Sequence, residues 1–182
     1  LMVYCDDLIV MSSNIKTNLI RLRHVLERLR EAKLKLNPRK CSFFKKKIEF
    51  LGFTIDQIGL HPNNKKVECI QKLQRPKTLK QVQSFLGLAN FYRRFVKDFA
   101  KIAAPLTQLC RKDTPFKWGP EQQFAFDTLK DKLTNPPCLK LPQPDRPFYL
   151  TVDSSGTGCG AILSQKDDKN VERPVAYSSK CY

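Results

Sequence analysis

The first eleven residues interrupt an apolar, β-prone run with two adjacent carboxylates, Asp6 and Asp7. Two short apolar runs around such a pair predict a β-hairpin. Two neighbouring acids are costly to bury unless something neutralises them. The pair therefore lies either in a water-exposed turn, where Asp is common, or at a divalent-metal site. The pair alone leaves both interpretations open.

The charge of the chain is strongly positive and unevenly distributed. Its 182 residues include 33 Lys and Arg against 17 Asp and Glu, a net charge of +16. Residues 16–47 hold twelve of the basic residues and only two acids. This pattern favours a polyanionic partner, nucleic acid before an anionic membrane; a merely soluble basic domain is the alternative. No apolar stretch reaches the roughly 18 residues of a membrane span.

The cysteine and histidine residues give no metal-binding pattern. Seven Cys are scattered without a Cys-x-x-Cys pair, and His24 and His61 lack a partner at zinc-ligand spacing, so we expect no zinc site. We expect no secretory leader, and scattered Cys without one predict buried thiols in a reducing compartment. Because the sequence opens with Leu1 inside an apolar run, we expect a cut N-terminus.

Helices and strands are predicted along the whole chain. Helical periodicity covers 19–36, with Asn14 or Thr17 as the cap and Asn37-Pro38 as the stop. Further helices are predicted at 63–73, at 79–109 after the Thr78 cap and at 120–133. Gly87 and Asn90 suggest a break in the long helical stretch, and Pro105 a kink or restart. Strands are predicted at 47–55, 148–152, 161–164 and 174–177, with a Gly-rich turn at 156–160 and a stiff Pro-rich connector at 135–147.

Four ordered motifs resemble reverse transcriptases. Tyr4-Cys5-Asp6-Asp7 resembles their Tyr-x-Asp-Asp motif, and Lys33–Cys41 follows at the spacing of the next motif. Phe50-Leu51-Gly52-Phe53 resembles the primer-grip strand. Leu86–Phe95, continued by motifs within 116–130, resembles the segment after the palm in Ty3/gypsy LTR retrotransposons. The chain is therefore identified as a fragment of the reverse transcriptase/RNase H region of a Pol polyprotein of this class.

A second site is suggested near the end of the chain. Asp153-Ser154-Ser155 and the Gly-rich turn after it resemble the opening of the RNase H domain in the same polyproteins, with Ser154 where Ala is usual. By this resemblance Asp153 matches the first metal-binding carboxylate. The alternative is a Gly-rich hairpin with an Asp at its mouth.

The resemblance implies roles for individual residues. Asp6 and Asp7 match two of three catalytic, metal-binding carboxylates, and Tyr4 lines the substrate site. Lys40 matches the residue that protonates pyrophosphate, or is a phosphate contact or a solvated charge. The primer grip holds the primer backbone, or is a core strand. Arg93 and Arg94 are candidates for template-primer contact, whereas Phe91, Phe95 and Phe99 are expected to face the core.

The resemblance also implies a fold and partners. The expected fold class is α+β: a partial palm with the primer-grip strand (1–62), a helical thumb and connection (63–134), the connector (135–147) and the start of an RNase H-like α/β domain (148–182). Expected cofactors are two Mg²⁺ ions per active site, or Mn²⁺. Expected partners are RNA/DNA template-primer, dNTPs and other parts of the Pol polyprotein, in the cytoplasm (virus-like particle) or nucleus, with no membrane and no secretion.

Two alternatives remain open from the sequence. One is an inactive retroelement remnant that binds nucleic acid; the other is a structural or protein-interaction module. Because the third palm carboxylate and the later RNase H carboxylates are absent from these residues, we expect the chain alone to be catalytically inactive.

Overall fold

The computed structural model describes residues 1–182 and divides into two compact units, residues 1–46 and 47–182. The first unit begins with the predicted β-hairpin, β1 (Met2–Tyr4) paired antiparallel with β2 (Asp7–Ile9). Helix α1 (Ile15–Glu31) and a short 3₁₀ turn (Pro38–Lys40) complete it. No residue of α1 is buried.

Helix α1 starts where the sequence predicts and ends earlier. The Asn14 side chain caps it by accepting a hydrogen bond from the Thr17 amide at 2.8 Å, an interaction typical of Asn before a helix. The helix ends at Glu31, so the prediction that it runs to Leu36 is wrong. Lys33 adopts a positive φ of 56°, a left-handed conformation that ends a helix, before Pro38 is reached.

The second unit opens with a small antiparallel sheet. Its strands are β3 (Ile48–Phe50), β4 (Phe53–Ile55) and β5 (Leu60–Pro62), in that order. The prediction of one strand over 47–55 is wrong, because the chain reverses between β3 and β4. Leu51 and Gly52 both have positive φ, 49° and 79°, as two-residue hairpin turns require.

Four helices form the body of this unit: α2 (Asn64–Gln71), α3 (Leu79–Phe91), α4 (Phe99–Leu109) and α5 (Pro120–Thr134). Thr78 caps α3 as predicted. The predicted break between two helices is present, but it lies just after Asn90 and not at Gly87, since α3 continues to Phe91 and a 3₁₀ turn (Arg93–Phe95) follows. Pro105 lies within α4 and does not end it. No helix combines the length and the apolar character that spanning a membrane would require.

The core of the second unit is built from α2–α5 and the 3₁₀ turn. Its fully buried side chains include Tyr92, Phe95, Leu106 and Leu129. Phe85 and Phe126 join α3 to α5, with ring centroids 4.7 Å apart. Burial of large apolar side chains of this kind is the main stabilising contribution to such a fold.

A second antiparallel sheet closes the chain. Its strands are β6 (Tyr149–Ser155), β7 (Gly158–Lys166) and β8 (Glu172–Cys181), in that order. Strand β8 packs against α4 and the 3₁₀ turn, while β6 is an edge strand whose residues are all exposed. Asp153 lies within β6 and does not end it, as β6 pairs with β7 to a turn at Gly156 and Thr157.

The Pro-rich segment 135–147 is attached to this sheet. The side chain of Gln165, which is 3% exposed, donates to the carbonyls of Gln143 and Arg146 at 2.8 and 3.0 Å. The Gln143 amide donates back to Gln165 Oε1 at 2.9 Å. These contacts hold the segment in one place, and residues 47–182 form a single compact unit. The boundaries at 62, 134 and 147 stay a prediction.

Candidate functional site

The tip of the β1–β2 hairpin presents the two carboxylates to solvent. Tyr4 pairs with Asp7 across the strands, leaving Cys5 and Asp6 as a two-residue turn. Cys5 has a positive φ of 48°. Because directly paired residues share one face of a hairpin, the side chains of Tyr4 and Asp7 lie side by side.

Neither carboxylate at this tip is neutralised by the protein. Asp6 and Asp7 are exposed, and they take part in none of the side-chain hydrogen bonds or ion pairs of the structure. Free carboxylate oxygens are the ligands that hard divalent cations prefer. The structure brings no group of three His, Cys, Asp or Glu side chains together as a metal site. The pair therefore fits part of a ligand set for such a cation, and further ligands would have to complete it.

Lys40, the other predicted catalytic residue of this unit, ends the 3₁₀ turn Pro38–Lys40. Its side chain is exposed and forms no ion pair with either Asp. Its roles as proton donor, phosphate contact or solvated charge thus remain predictions.

The predicted primer-grip residues, Phe50 to Phe53, form the β3–β4 hairpin and not a single strand. We call residues 50–53 the grip hairpin. The Phe53 ring stacks on Phe91, with centroids 5.2 Å apart and planes 12° apart, and meets the edge of Tyr92 at 5.7 Å. The Tyr92 hydroxyl donates to the Gly52 carbonyl at 2.8 Å. The turn of the grip hairpin is thereby fixed against the end of α3.

The aromatic residues at the end of α3 and after it are buried in a pattern that differs in part from the predicted one. Phe95 and Phe99 are buried as predicted, but Phe91 is 51% exposed and Tyr92 is buried in its place. The core orientation predicted for Phe91 is wrong, because α3 ends at this residue and the following 3₁₀ turn presents a different set of side chains inward.

Arg93 and Arg94 occupy different surroundings. Arg93 donates to the carbonyl of Ser179 in β8, and its guanidinium lies 5.7 Å from the Phe99 ring centroid. Arg94 is exposed and makes no ion pair. Arg93 therefore has a structural role that the sequence did not indicate, whereas Arg94 is available to an external anion. Template-primer contact stays a prediction for both.

Asp153 lies on the exposed edge strand β6, opposite Gly160 of β7. Its carboxylate has no hydrogen-bond or ion-pair partner, and no group of three His, Cys, Asp or Glu side chains forms a metal site around it. Like the pair at the first hairpin, Asp153 is an exposed carboxylate that fits part of a ligand set for a divalent cation.

Sequence reasoning missed Tyr92, whose hydroxyl contacts the grip hairpin. The sequence gives no sign of this contact, because the burial of Tyr92 is seen only in the structure; a buried Tyr normally finds a hydrogen-bond partner. Burial raises the pKa of the Tyr92 hydroxyl, which therefore stays protonated and able to donate.

A small polar cluster beside β5 was also missed. His61 Nε2 lies 3.3 Å from Asp56 Oδ1 and 3.5 Å from Cys138 Sγ. Burial and the negative charge of Asp56 raise the pKa of the Cys138 thiol, so the thiol is held in its unreactive protonated form. His61 and Cys138 are next in sequence to Leu60 and Leu139, which form a backbone bridge. The cluster therefore has a structural role, which is to support this bridge.

Two known families match the two ends of the chain. Residues 1–55 match the family "Reverse transcriptase (RNA-dependent DNA polymerase)", and residues 118–182 match the "RNase H-like domain found in reverse transcriptase". The second match includes α5 as well as the β6–β8 sheet. Proteins with these two domains generally use divalent metal ions.

Known proteins resemble nearly the whole chain. The Retrovirus-related Pol polyprotein from transposon 412 of Drosophila melanogaster is 40% identical over 180 residues, which is 99% of this chain and 14% of that polyprotein. The chain thus spans about a seventh of this relative's length. The foamy viral protease-reverse transcriptase dRH in complex with double-stranded DNA has a TM-score of 0.80 and 27% identity, covering 94% of this chain and 30% of that one. The foamy viral protease-reverse transcriptase in complex with an RNA/DNA hybrid has a TM-score of 0.78 and 26% identity, covering 94% of this chain and 23% of that one.

The fold and the two family matches define a reverse-transcriptase segment followed by an RNase H-like segment. The chain belongs to the reverse transcriptase and RNase H region of Ty3/gypsy-type retrotransposon Pol polyproteins.

Proposed function

We propose that the chain works as part of an RNA-directed DNA polymerase with an attached RNase H. The observation that carries this proposal is the hairpin tip, where Asp6 and Asp7 are exposed and free of protein partners. A pair of unneutralised carboxylates at the tip of a hairpin is suited to a cation that arrives with its phosphate substrate. The family matches and the relative's name support the same activity.

The proposed cofactors are two Mg²⁺ ions at each active site, with Mn²⁺ as a substitute. Asp6 and Asp7 would hold the ions of the polymerase site and Asp153 those of the RNase H site, each with ligands from outside this chain. When bound, such ions stabilise the attacking and leaving oxygens of a phosphoryl transfer. Tyr4 would orient the substrate beside Asp7, and Lys40 would supply a proton to the leaving pyrophosphate.

The proposed substrates are an RNA or DNA template with its primer, and dNTPs. The net charge of +16 favours a polyanion, and the exposed Arg94 is free to contact a phosphate. The foamy viral enzyme, whose structure this chain resembles, was solved with double-stranded DNA and with an RNA/DNA hybrid. The proposed setting is the cytoplasm, in a virus-like particle, or the nucleus, together with other parts of the polyprotein.

A metal-binding measurement tests the role of the carboxylate pair. Mn²⁺ added to the chain should broaden the NMR signals of residues 4–8, and Asp6→Asn with Asp7→Asn should abolish this broadening. Asp145→Asn is the matched control, because Asp145 is also exposed and forms no ion pair. Equal broadening in the double variant and the control would show that the hairpin tip does not attract the ion.

Primer extension tests the expectation of inactivity. Because no complete metal site is formed by these residues, the purified chain should extend no primer with Mg²⁺ and dNTPs and should cut no RNA/DNA hybrid. Measurable extension would overturn this expectation and place a complete polymerase site within the 182 residues.

A nucleic-acid-binding remnant is the second candidate function, favoured by the high positive charge. Sequencing the transcript on both sides of this segment separates the two. In-frame palm and RNase H carboxylates would support the enzyme, whereas a frame confined to these residues would support the remnant. Binding that weakens steeply with salt supports either of the two; no binding at low salt would instead favour a structural module.

A further inference from the structure

The grip hairpin is held by one side chain that sequence reasoning did not assign. We infer that Tyr92 is a positioning residue, whose hydroxyl sets the orientation of the Leu51–Gly52 turn and so places the primer backbone. This inference rests on the proposed function for its substrate.

The contact is direct and specific. The Tyr92 hydroxyl donates to the Gly52 carbonyl at 2.8 Å, and the only other donor to this oxygen is the Asn63 amide at 3.3 Å. Tyr92 is 1% exposed, so its ring cannot swing away into solvent. The hydrogen bond joins residues 40 positions apart in the sequence and attaches the tip of a turn to the helical core.

The aromatic rings around the contact restrict the turn further. Phe91 stacks on Phe53, and the Tyr92 ring meets the edges of both Phe53 and Phe91. A Cβ atom on Gly52 would lie 3.0 Å from two atoms of the Phe91 ring. Packing therefore fixes the distance between the turn and α3, while the Tyr92 hydroxyl fixes the direction of the Gly52 peptide, since a hydrogen bond is directional.

This arrangement leaves the other side of the turn open. Leu51 is exposed, and Phe91 is half-exposed beside it. The surface that a primer would meet is thus the exposed side of the turn, while the buried Tyr92 sets the orientation of the Gly52 peptide from the opposite side. A change at Tyr92 should alter where the primer lies without removing any residue that touches it.

The test compares Tyr92→Phe with Tyr177→Phe in the purified chain. Both substitutions remove one hydroxyl and keep the ring. Tyr177 is also partly buried against the core, and its hydroxyl makes no hydrogen bond within the protein. Tyr92→Phe removes a hydrogen bond to the Gly52 carbonyl, so the hairpin should open more readily and the amides of residues 50–53 should exchange about fivefold to tenfold faster. Their exchange should be unchanged in Tyr177→Phe.

Primer placement is read by cross-linking. A primer–template carrying a photoreactive thymidine at the primer 3′ end is bound to each variant, and the peptide containing residues 50–53 is quantified. In Tyr92→Phe its share of the cross-links should fall about fivefold while the Kd for the duplex changes less than twofold. A purely structural role would not change the distribution of cross-links at equal affinity.

Each outcome decides the inference. Unchanged exchange in Tyr92→Phe overturns the claim that its hydroxyl fixes the turn. Faster exchange with an unchanged cross-link pattern overturns only the claim that Tyr92 places the primer. If the wild-type chain does not bind the duplex, the proposed function fails and the primer role fails with it, while the exchange rates still decide whether Tyr92 fixes the turn.

Discussion

Two glycine-to-alanine substitutions should change stability in opposite directions. Gly52 has a φ of 79°, and an added Cβ would meet the Phe91 ring at 3.0 Å. The left-handed conformation costs a non-glycine residue about 1–2 kcal/mol, and overpacking adds about 1–3 kcal/mol. Because the half-exposed Phe91 ring can shift, we expect the lower part of this range, about 2 kcal/mol of destabilisation for Gly52→Ala.

Gly87 provides the matched control. It lies inside α3, and nothing comes within 4 Å of the position of an added Cβ. Ala is favoured over Gly in a helix by about 1 kcal/mol, so Gly87→Ala should stabilise the unit by about that amount.

The assay is urea unfolding followed by the fluorescence of Trp118. This residue is the single Trp of the chain and packs against the core of the second unit. The transition therefore reports on the unit that contains both glycines. The denaturation midpoints should move in opposite directions at an unchanged slope. Shifts of the same sign, or a change below about 0.5 kcal/mol for Gly52→Ala, would refute the reasoning.

Two further predictions concern polar contacts of the second unit. Burial raises the pKa of Asp56, but hydrogen bonds from the Gly59 and Ile58 amides and the nearby His61 lower this pKa overall from its ordinary value of 3.8. The Asp56 carboxylate therefore contributes stability above about pH 4, and this stability is lost as the pH falls through its folded pKa. Urea midpoints of wild type and Asp56→Asn should differ most near pH 6 and converge toward pH 2.5, and a constant difference would contradict this. Gln165→Ala should lower the free energy of unfolding by about 2 kcal/mol, because it removes a buried side chain that makes three hydrogen bonds. An unfolding free energy equal to that of wild type would show that these contacts contribute nothing.

The features predicted correctly from the sequence depend on neighbouring residues. The β1–β2 hairpin follows from two β-prone runs and a polar pair, and the Asn14 cap follows from a side chain that reaches the next turn of its own chain. Helix α5 begins with Pro120 at its first position, as a proline near a helix start predicts. None of these features needs a distant partner.

The features predicted incorrectly depend on distant contacts or on unusual backbone angles. Leu rarely adopts positive φ, so the sequence around Leu51 predicts a continuous strand instead of the turn that is present. The turn is stabilised by Tyr92, which lies 40 positions away. Arg93 likewise looks free for nucleic acid in the sequence, because its partner, the Ser179 carbonyl, is 86 residues further along the chain. A helical pattern also does not show that α3 ends at Phe91, where the inward-facing set of side chains changes.

The two-residue turn at Cys5 and Asp6 makes the length of the first hairpin more critical than its composition. A substitution at Cys5 keeps the pairing of Tyr4 with Asp7, so both side chains stay on one face. Insertion or removal of a single residue shifts the register by one and moves Asp7 to the opposite face. For the gene, a three-base deletion at this turn would therefore be more damaging than most missense changes at Cys5, although both preserve the reading frame.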